Sequence, residues 1–345
     1  MIYRVQTIDA HAAGEPLRLV TSGFPTPVGT TMLEKLDWVQ EHCDPLRRAL
    51  MHEPRGHADM YGAVLTEPCD EAAHAGVLFM HNAGYSTMCG HGVIAVCTIA
   101  LERGLITVAG EPTVVVLETP TGLVQARVST IRTVSVDSSD ETGSVGQRVT
   151  AVAFENVPSF VFHAGLQVPI GDRVIPVDLA FGGAFYAIVD SEAVGIPLRR
   201  EALGRLRQVG MEIARAVETM TSVTHPTAPG ISGVFGTVFT GMAEQADADL
   251  RNVTVFADAQ VDRSPCGTGT AAVMAVLDAM GLLTADHRFV HESLVGTRFR
   301  GRVRRRTVVG EYEAIIPEIE GSAWITGEHL FLIDDEDPLR EGFLL

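Results

Sequence analysis

Lysine is nearly absent from this chain, and the net charge of the chain is strongly negative. One of its 345 residues is a lysine, Lys35, and the formal net charge is −17. Nucleic acids and anionic membrane surfaces are bound through concentrated positive charge, so the composition argues against both as partners. Pyridoxal phosphate enzymes hold their cofactor as a Schiff base on a lysine. Because Lys35 lies in an amphipathic segment with no phosphate-binding loop beside it, the sequence argues against pyridoxal phosphate, and no other cofactor is predicted.

Long apolar runs, a disulfide framework and metal-binding motifs are also missing. The longest apolar run, residues 93–101, is well short of the ~20 residues that span a bilayer. The five cysteines lack framework spacing, and residues 1–5 begin a strand pattern instead of a secretory signal, so we expect a cytoplasmic protein with free thiols. No C-x₂-C pair occurs, so no metal site is predicted. Cys43, Cys69 and Cys97 are interpreted as inert core thiols.

Two segments of the chain repeat one pattern at a separation of 177 positions (266 − 89). The first reads Cys-Gly-His-Gly-Val-Ile-Ala-Val from Cys89, the second reads Cys-Gly-Thr-Gly-Thr-Ala-Ala-Val from Cys266, and Phe79 matches Phe256 in the strand-like segments before them. When each segment is drawn as a helix, all of its faces are apolar, which is typical of a buried helix. The sequence therefore predicts an α+β protein of two similar domains, each with strands wrapped around a central helix.

The division between the two domains is placed near residue 160. We expect the first domain to comprise residues 1–160 and 328–345 and to contain the Cys89 motif, and the second to comprise residues 161–327 with the Cys266 motif. Amphipathic helices are predicted at 32–43 and 200–220. The polar stretch 137–144 is interpreted as a hairpin tip, because strand-like segments flank it.

The start of a helix exposes unpaired N–H groups and partial positive charge, which lowers a cysteine's pKa and also binds anions. If both repeated helices point at one cleft, a substrate carboxylate would lie among the N–H groups of their first turns, and the two sulfurs would flank its α-carbon. One thiolate would remove the α-proton and the other thiol would return a proton to the opposite face. The pattern predicts a two-base racemase or epimerase. The N–H groups in question belong to Gly90, His91, Gly92, Gly267, Thr268 and Gly269.

The residues around both cysteines resemble the proline racemase family. Its paired signature is similar to the run Met88-Cys89-Gly90-His91-Gly92 and to the run Asp262-Arg263-Ser264-Pro265-Cys266-Gly267-Thr268-Gly269-Thr270. Gly14-Glu15-Pro16 near the start and Asp337-Pro338 near the end extend the likeness over nearly the whole chain. The resemblance implies a diaminopimelate-epimerase-like fold with its active site in the interdomain cleft.

The resemblance also implies a role for each matching residue. Cys89 and Cys266 become the acid/base pair, and His91 and Asp262 contact the ring nitrogen of a proline-type substrate. The backbone of residues 90–92 and 267–268 holds the substrate's carboxylate. Tyr61 and Phe256 lie where the family has aromatic residues lining the pocket.

Cys266 bears on which reaction the resemblance implies. Family members with two cysteines are similar to racemases and epimerases, whereas the dehydratases have threonine at the second position. Cys266 therefore favours inversion of proline or a hydroxyproline. The runs Arg55-Gly56-His57 and Gly182-Gly183-Ala184-Phe185-Tyr186 resemble the trans-3-hydroxy-L-proline dehydratase branch, so dehydration remains the alternative.

The run His11-Ala12-Ala13-Gly14-Glu15-Pro16 departs from the family's usual His-Thr-Gly-Gly-Glu-Pro at its second and third positions. A third hypothesis, from a different class, is a protein that binds a proline-type ligand without turnover. The expected partner in every case is a small amino acid. The sequence leaves the oligomeric state open, with a homodimer among the candidates.

Overall fold

The computed structural model describes residues 2–135, 144–284 and 286–345. The predicted hairpin tip at 137–144 falls outside these ranges except at its last position. The chain divides into a first unit, Met1–Phe154 with Gly321–Leu345, and a second unit, Glu155–Glu320.

The first unit begins with two strands, continues through two helices, and then places a third helix among further strands. Its elements are β1 (Ile2–Ala12), β2 (Glu15–Ser22), α1 (Met32–His42), α2 (Asp44–Met51), β3 (Tyr61–Thr66), β4 (Ala75–His81), β5 (Gly84–Ser86), α3 (Gly90–Glu102), β6 (Thr113–Thr119), β7 (Gly122–Ser135) and β8 (Ser144–Glu155).

The second unit follows the same plan. Its elements are β9 (Ser159–Ile170), β10 (Arg173–Phe181), β11 (Phe185–Asp190), α4 (Ser191–Val194), a 3₁₀ turn (Arg200–Ala202), α5 (Leu203–Met220), β12 (Gly236–Met242), β13 (Leu250–Phe256), β14 (Gln260–Asp262), α6 (Gly267–Ala279), β15 (Phe289–Ser293), β16 (Arg298–Val309) and β17 (Tyr312–Gly321). The chain then returns to the first unit as β18 (Ala323–Asp334), which pairs antiparallel with β1.

Strand pairing repeats in the same order in both units. In the first unit, β1–β2 is antiparallel, β2–β3 parallel, β3–β4 antiparallel, β4–β6 parallel and β6–β7 antiparallel. In the second unit, β10–β11, β11–β12, β12–β13, β13–β15 and β15–β16 show that same alternation. The two cysteine motifs therefore begin corresponding helices of one duplicated topology, and the predicted α+β fold class is confirmed.

The two repeated helices are buried along nearly their whole length. Residues 90–100 of α3 and 267–276 of α6 are all buried. A helix without a polar face cannot border water, so the strands of each unit enclose it. Cys89 and Cys266 are the N-cap residues of these two buried helices.

The amphipathic helices are confirmed with small changes at their ends. Helix α1 starts where predicted, after Thr31, whose hydroxyl accepts a hydrogen bond from the Glu34 N–H as an N-cap. Helix α5 begins three residues later than predicted, after a 3₁₀ turn. It runs unbroken through Gly210, where a Cβ would lie 3.0 Å from the Cβ of Val255. The glycine there allows the helix to approach β13 closely.

Cys43 and Cys97 are buried, as expected of core thiols, but Cys69 is exposed. The prediction is wrong for Cys69 because this residue lies in the loop after β3. There its N–H donates to the carboxylate of Glu118. Among the described residues, no helix is both long and apolar enough to cross a membrane.

Candidate functional site

The Cys89 thiol lies at the first turn of α3 in the first unit. Cys89 is the N-cap of the helix, and its Sγ accepts a hydrogen bond from the Gly92 N–H at 3.3 Å. Gly90 and His91 complete the turn, and all of these residues are buried. A Cβ on Gly92 would lie 2.4 Å from Cε1 of Phe79 and 2.9 Å from the Cys89 sulfur. Glycine is therefore required here to let the sulfur reach the backbone.

His91 lies beside the Cys89 sulfur, with its Nδ1 3.3 Å from Sγ. Burial lowers the pKa of His91 to about 3, against a smaller opposing effect of a hydrogen bond to the Pro16 carbonyl. The imidazole is thus neutral and carries a single N–H. Both ring nitrogens lie near the Cys89 sulfur, Nδ1 at 3.3 Å and Nε2 at 3.6 Å, so the neutral ring can offer it either an N–H or a lone pair.

Tyr61 packs against His91 in the first unit. The two rings meet edge to face, with centroids 4.7 Å apart. The Tyr61 hydroxyl hydrogen-bonds the Ser86 hydroxyl at 2.8 Å. The structure therefore brings together three residues that the sequence singled out, Cys89, His91 and Tyr61, and adds Ser86, which the sequence carried no signal for.

The Cys266 thiol has the matching position at the start of α6 in the second unit. Its Sγ accepts a hydrogen bond from the Gly269 N–H, also at 3.3 Å, across a first turn formed by Gly267 and Thr268. The backbone differs. Cys266 has a φ of +62°, whereas Cys89 has a φ of −148°. Non-glycine residues rarely adopt the former conformation.

Asp262 connects to Cys266 through Ser264. Its Oδ1 accepts hydrogen bonds from the Ser264 hydroxyl at 2.7 Å and the Ser264 N–H at 2.8 Å, and the Ser264 hydroxyl accepts from the Cys266 N–H at 3.1 Å. Burial raises the pKa of Asp262 to about 6, and its hydrogen bonds from Ser264 oppose that rise. The carboxyl group therefore titrates just below neutrality.

Burial is the main cause that raises the pKa of Cys266 to about 12, and the negative charge of Asp262 adds to it. The hydrogen bond from the Gly269 N–H lowers the pKa, as the sequence led us to expect, but it does not outweigh burial. The expected acidic thiol is thus wrong for Cys266 in this structure, since the site is drier than a helix end facing water. Cys266 is a thiol at neutral pH.

Tyr186 is a member of this cluster that the sequence analysis did not assign. Its hydroxyl hydrogen-bonds Thr268 Oγ1 at 2.7 Å and lies 3.8 Å from the Cys266 sulfur, and its side chain is buried. It belongs to the Gly182–Tyr186 run quoted above. The signal available in the sequence was a phenol at the inward-facing position of an apolar strand, where a buried Tyr hydroxyl needs a polar partner.

Phe256 reaches the same cluster through a second aromatic ring. It stacks on Phe235 with ring centroids 5.4 Å apart and an interplanar angle of 10°. Phe235 in turn meets Tyr186 edge to face at 5.7 Å. Phe256 therefore supports the apolar wall beside Tyr186.

Gly182 explains why a glycine pair precedes β11. A Cβ at this position would lie 2.2 Å from the Thr268 carbonyl oxygen and 2.5 Å from the Ala272 nitrogen, both in the backbone of α6. The Gly182 carbonyl accepts from Asn156 Nδ2 at 2.7 Å. The loop is thus fixed against the first turns of the helix that carries Cys266. Among the residues described, no group of three histidine, cysteine or acidic side chains converges as a metal site.

Comparison with known proteins places these features in a family. The family model described as proline racemase matches residues 7–344. The trans-3-hydroxy-L-proline dehydratase of Bacillus cereus is 46% identical over 339 residues, which cover 98% of this chain and 97% of that protein. The 3-hydroxyproline 2-epimerase of Burkholderia multivorans is 42% identical over 342 residues, 99% of this chain and 98% of that protein.

A solved structure shows the same fold. The crystal structure of a hydroxyproline epimerase from Agrobacterium vitis, with bound trans-4-hydroxy-L-proline, matches with a TM-score of 0.85 and 32% sequence identity. The match covers 99% of this chain and 96% of that one. The likeness is therefore to whole proteins of one length, and the named relatives include both epimerases and a dehydratase.

Proposed function

Since this chain belongs to the proline racemase family, we propose that it inverts the α-carbon of proline or a hydroxyproline without a cofactor, with Cys89 and Cys266 as the two bases. One observation carries the proposal. Each of the two duplicated units holds a buried cysteine sulfur at the start of its central helix, 3.3 Å from the N–H three residues on. A single nucleophile or a core thiol gives no reason for the arrangement to occur twice.

The first step is removal of the α-proton by one sulfur. Developing negative charge passes into the substrate carboxylate, which the N–H groups of the first helical turns stabilise. The second step is protonation from the other face by the other sulfur. Because Cys266 is a thiol at neutral pH, it is the proton donor for the isomer whose α-proton faces Cys89. This turnover leaves Cys266 as the thiolate and Cys89 as the thiol, which is the form that inverts the opposite isomer.

His91 and Asp262 act on the substrate's ring nitrogen in this proposal. A proline nitrogen enters as a cation, and ionised Asp262 neutralises it. His91 stays neutral, so it adds no positive charge that would repel the cation. This division agrees with the low pKa of His91 and with the pKa of Asp262 near 6.

Dehydration of a 3-hydroxyproline is the second candidate, and the 46% identity to a protein named for that activity favours it. The first step is the same: Cys89 takes the α-proton. The β-hydroxyl then leaves with a proton from the site as water, and the resulting enamine rearranges to a cyclic imine. The cluster of Cys266, Thr268 and Tyr186 would supply that proton.

Incubation in D₂O with proline, 4-hydroxyproline and 3-hydroxyproline of each configuration tests these functions. Deuterium at the α-carbon together with a change of optical rotation supports inversion. Imine formed from 3-hydroxyproline, without inversion of the other compounds, supports dehydration. If no compound exchanges its α-proton although calorimetry detects binding, both enzyme assignments are wrong and the chain is a ligand-binding protein.

The pH dependence of kcat/KM is expected to report Asp262. Below pH 6 its carboxyl group binds a proton, loses its charge and no longer attracts the substrate cation, so kcat/KM falls as the pH drops through about 6. Initial rates between pH 4.5 and pH 8 measure this limb, at about half-unit intervals. Asp262→Asn should lower kcat/KM at pH 8 and remove the limb. A wild-type limb that persists in Asp262→Asn would assign it to another group.

Replacing Gly92 with alanine is expected to lower kcat/KM by about 10- to 100-fold, because the new Cβ must displace the Cys89 sulfur and small misplacements are costly in catalysis. Gly204→Ala is the matched control, since a Cβ on Gly204 meets no atom within 4 Å. Steady-state kinetics and thermal unfolding of both variants separate a displaced Cys89 sulfur from a general loss of stability. Unchanged kcat/KM in Gly92→Ala would show that the position of the Cys89 sulfur is not critical.

A further inference from the structure

The backbone of Cys266 requires an explanation that the two-base reaction does not provide. Its φ and ψ are +62° and 115°, a region that side chains with a Cβ rarely enter. Cys89 performs the matching task from an ordinary extended conformation, with φ and ψ of −148° and 111°. Strained backbone of this kind persists where the surrounding structure holds it in place.

Two buried side chains hold the carbonyl end of the peptide group just before Cys266, whose N–H end donates to Ser264. The carbonyl oxygen of Pro265 accepts hydrogen bonds from Asn252 Nδ2 at 2.7 Å and from Thr270 Oγ1 at 3.0 Å. Both donors are almost fully buried, at 1% and 0% exposure. A carbonyl has two lone pairs, so both are satisfied and the orientation of the peptide plane is fixed.

His291 fixes the Thr270 hydroxyl in turn. Its Nδ1 lies 2.9 Å from Thr270 Oγ1, and its side chain is completely buried. Because the Thr270 proton is donated to Pro265, the hydroxyl oxygen accepts the Nδ1–H of His291. The three side chains, from β13, α6 and β15, form one hydrogen-bonded chain that ends on the Pro265 carbonyl.

The first unit provides an internal comparison, since it has the same topology without this chain. Thr270 corresponds to Val93, four residues after the respective cysteine. Asn252 pairs with Ser293 as Ala75 pairs with Leu117, which makes Ala75 the counterpart of Asn252 and Val115 the counterpart of His291. All three counterparts are buried and apolar. The polar chain occurs in the unit whose cysteine has a positive φ.

We propose that Asn252, Thr270 and His291 are positioning residues that hold the Pro265–Cys266 peptide, so that the Cys266 sulfur is aimed for its proton transfer. The inference rests on the proposed function and deepens it. If the peptide relaxed to a negative φ, Cβ would leave the backbone in another direction. The Cys266 sulfur would then lie elsewhere in the site, even if it kept its contact with the Gly269 N–H as Cys89 keeps its contact with the Gly92 N–H at a φ of −148°. Proton transfer by Cys266 would suffer, and proton transfer by Cys89 would not.

Thr270→Val tests the inference, because it removes the hydroxyl and keeps the branched shape. In D₂O, the isomer that Cys266→Ala still deuterates is the one whose α-proton faces Cys89. For that isomer we expect Thr270→Val to slow inversion about tenfold or more while deuterium gain without inversion changes little. Thr270→Ser should restore inversion. Equal losses of both processes, or failure of serine to restore inversion, would overturn the proposal.

Thr237→Val is the matched control. Thr237 is a fully buried threonine of the same unit, and its hydroxyl donates to the Gly210 carbonyl at 2.8 Å, on the side of β12 that faces α5. The same substitution at position 237 should lower the melting temperature by a similar amount. It should not change the ratio of inversion to α-proton exchange. If Thr237→Val changes that ratio as Thr270→Val does, loss of stability is the cause and the positioning role is wrong.

A measurement without substrate separates this inference from the proposed function. Iodoacetamide at pH 9, with each cysteine quantified by mass spectrometry, reports thiolate availability whether or not any proline is turned over. A displaced sulfur has a different exposure to the reagent and different polar neighbours. The alkylation rate of Cys266 relative to Cys89 should therefore change about threefold or more in Thr270→Val and stay unchanged in Thr237→Val. A ratio that is unchanged in Thr270→Val, or that changes equally in Thr237→Val, contradicts the positioning role even if the wild type is an epimerase.

Discussion

For the isomer whose α-proton faces Cys89, Cys89→Ser is expected to lower both inversion and α-proton exchange by about 10³-fold or more, since general acid–base groups contribute about 10²- to 10⁴-fold and serine is a far weaker acid than cysteine. Serine is also a favoured N-cap, so its hydroxyl can accept the Gly92 N–H in place of the sulfur. The fold should therefore survive and the loss should be chemical. Steady-state inversion rates, deuterium incorporation and thermal unfolding of one preparation measure all three quantities.

Cys69→Ser is the control for this substitution, because Cys69 is exposed and lies outside the site. It should retain full activity and an unchanged melting temperature. Because Cys89 removes the α-proton in both candidate reactions, Cys89→Ser should also abolish formation of imine from 3-hydroxyproline. Turnover in Cys89→Ser comparable to that of Cys69→Ser would exclude the two-base mechanism and its dehydratase variant together.

The duplicated fold could be predicted because its cause is local in the sequence. Helices α3 and α6 are apolar on every face, and such helices must be enclosed. The two cysteine motifs repeat the same residues at the same offsets, and this repeat predicted two units with the same topology. The apolar periodicity of residues 32–43 likewise predicted α1, and the structure shows Thr31 capping its start. Signals of this range survive folding unchanged.

The properties of the site that depend on distant residues could not be predicted. The pKa of Cys266 is raised mainly by burial, which arises only when the strands of the second unit enclose the start of α6; the charge of Asp262, four positions earlier in the sequence, adds to it. Tyr186 and Cys266 are 80 positions apart in sequence, and their contact depends on how β11 lies against α6. Exposure of Cys69 was missed for a related reason, since a loop thiol and a core thiol have the same appearance in sequence.

Cys266→Ser is expected to separate inversion from the steps that precede it. Inversion should fall by about 10²- to 10⁴-fold, because the second face loses its proton donor. Exchange of the α-proton that faces Cys89 should continue, since that step does not use the second sulfur. Chiral chromatography and the deuterium content of the unconverted substrate, measured in one reaction, give both rates. Equal loss of exchange and inversion would mean that Cys266 is needed for binding or folding, not for reprotonation.

The same variant distinguishes the two candidate reactions with 3-hydroxyproline. Elimination needs the α-proton removed and the β-hydroxyl protonated, and the Tyr186 and Thr268 hydroxyls remain beside position 266. Imine formation should therefore be retained or increased relative to epimerisation. Cys266→Thr is a stricter version, because a β-branched residue at a φ of +62° is strained and should lower the melting temperature below that of Cys266→Ser. If both variants epimerise 3-hydroxyproline as fast as the wild type, Cys266 is not what directs this chain toward inversion.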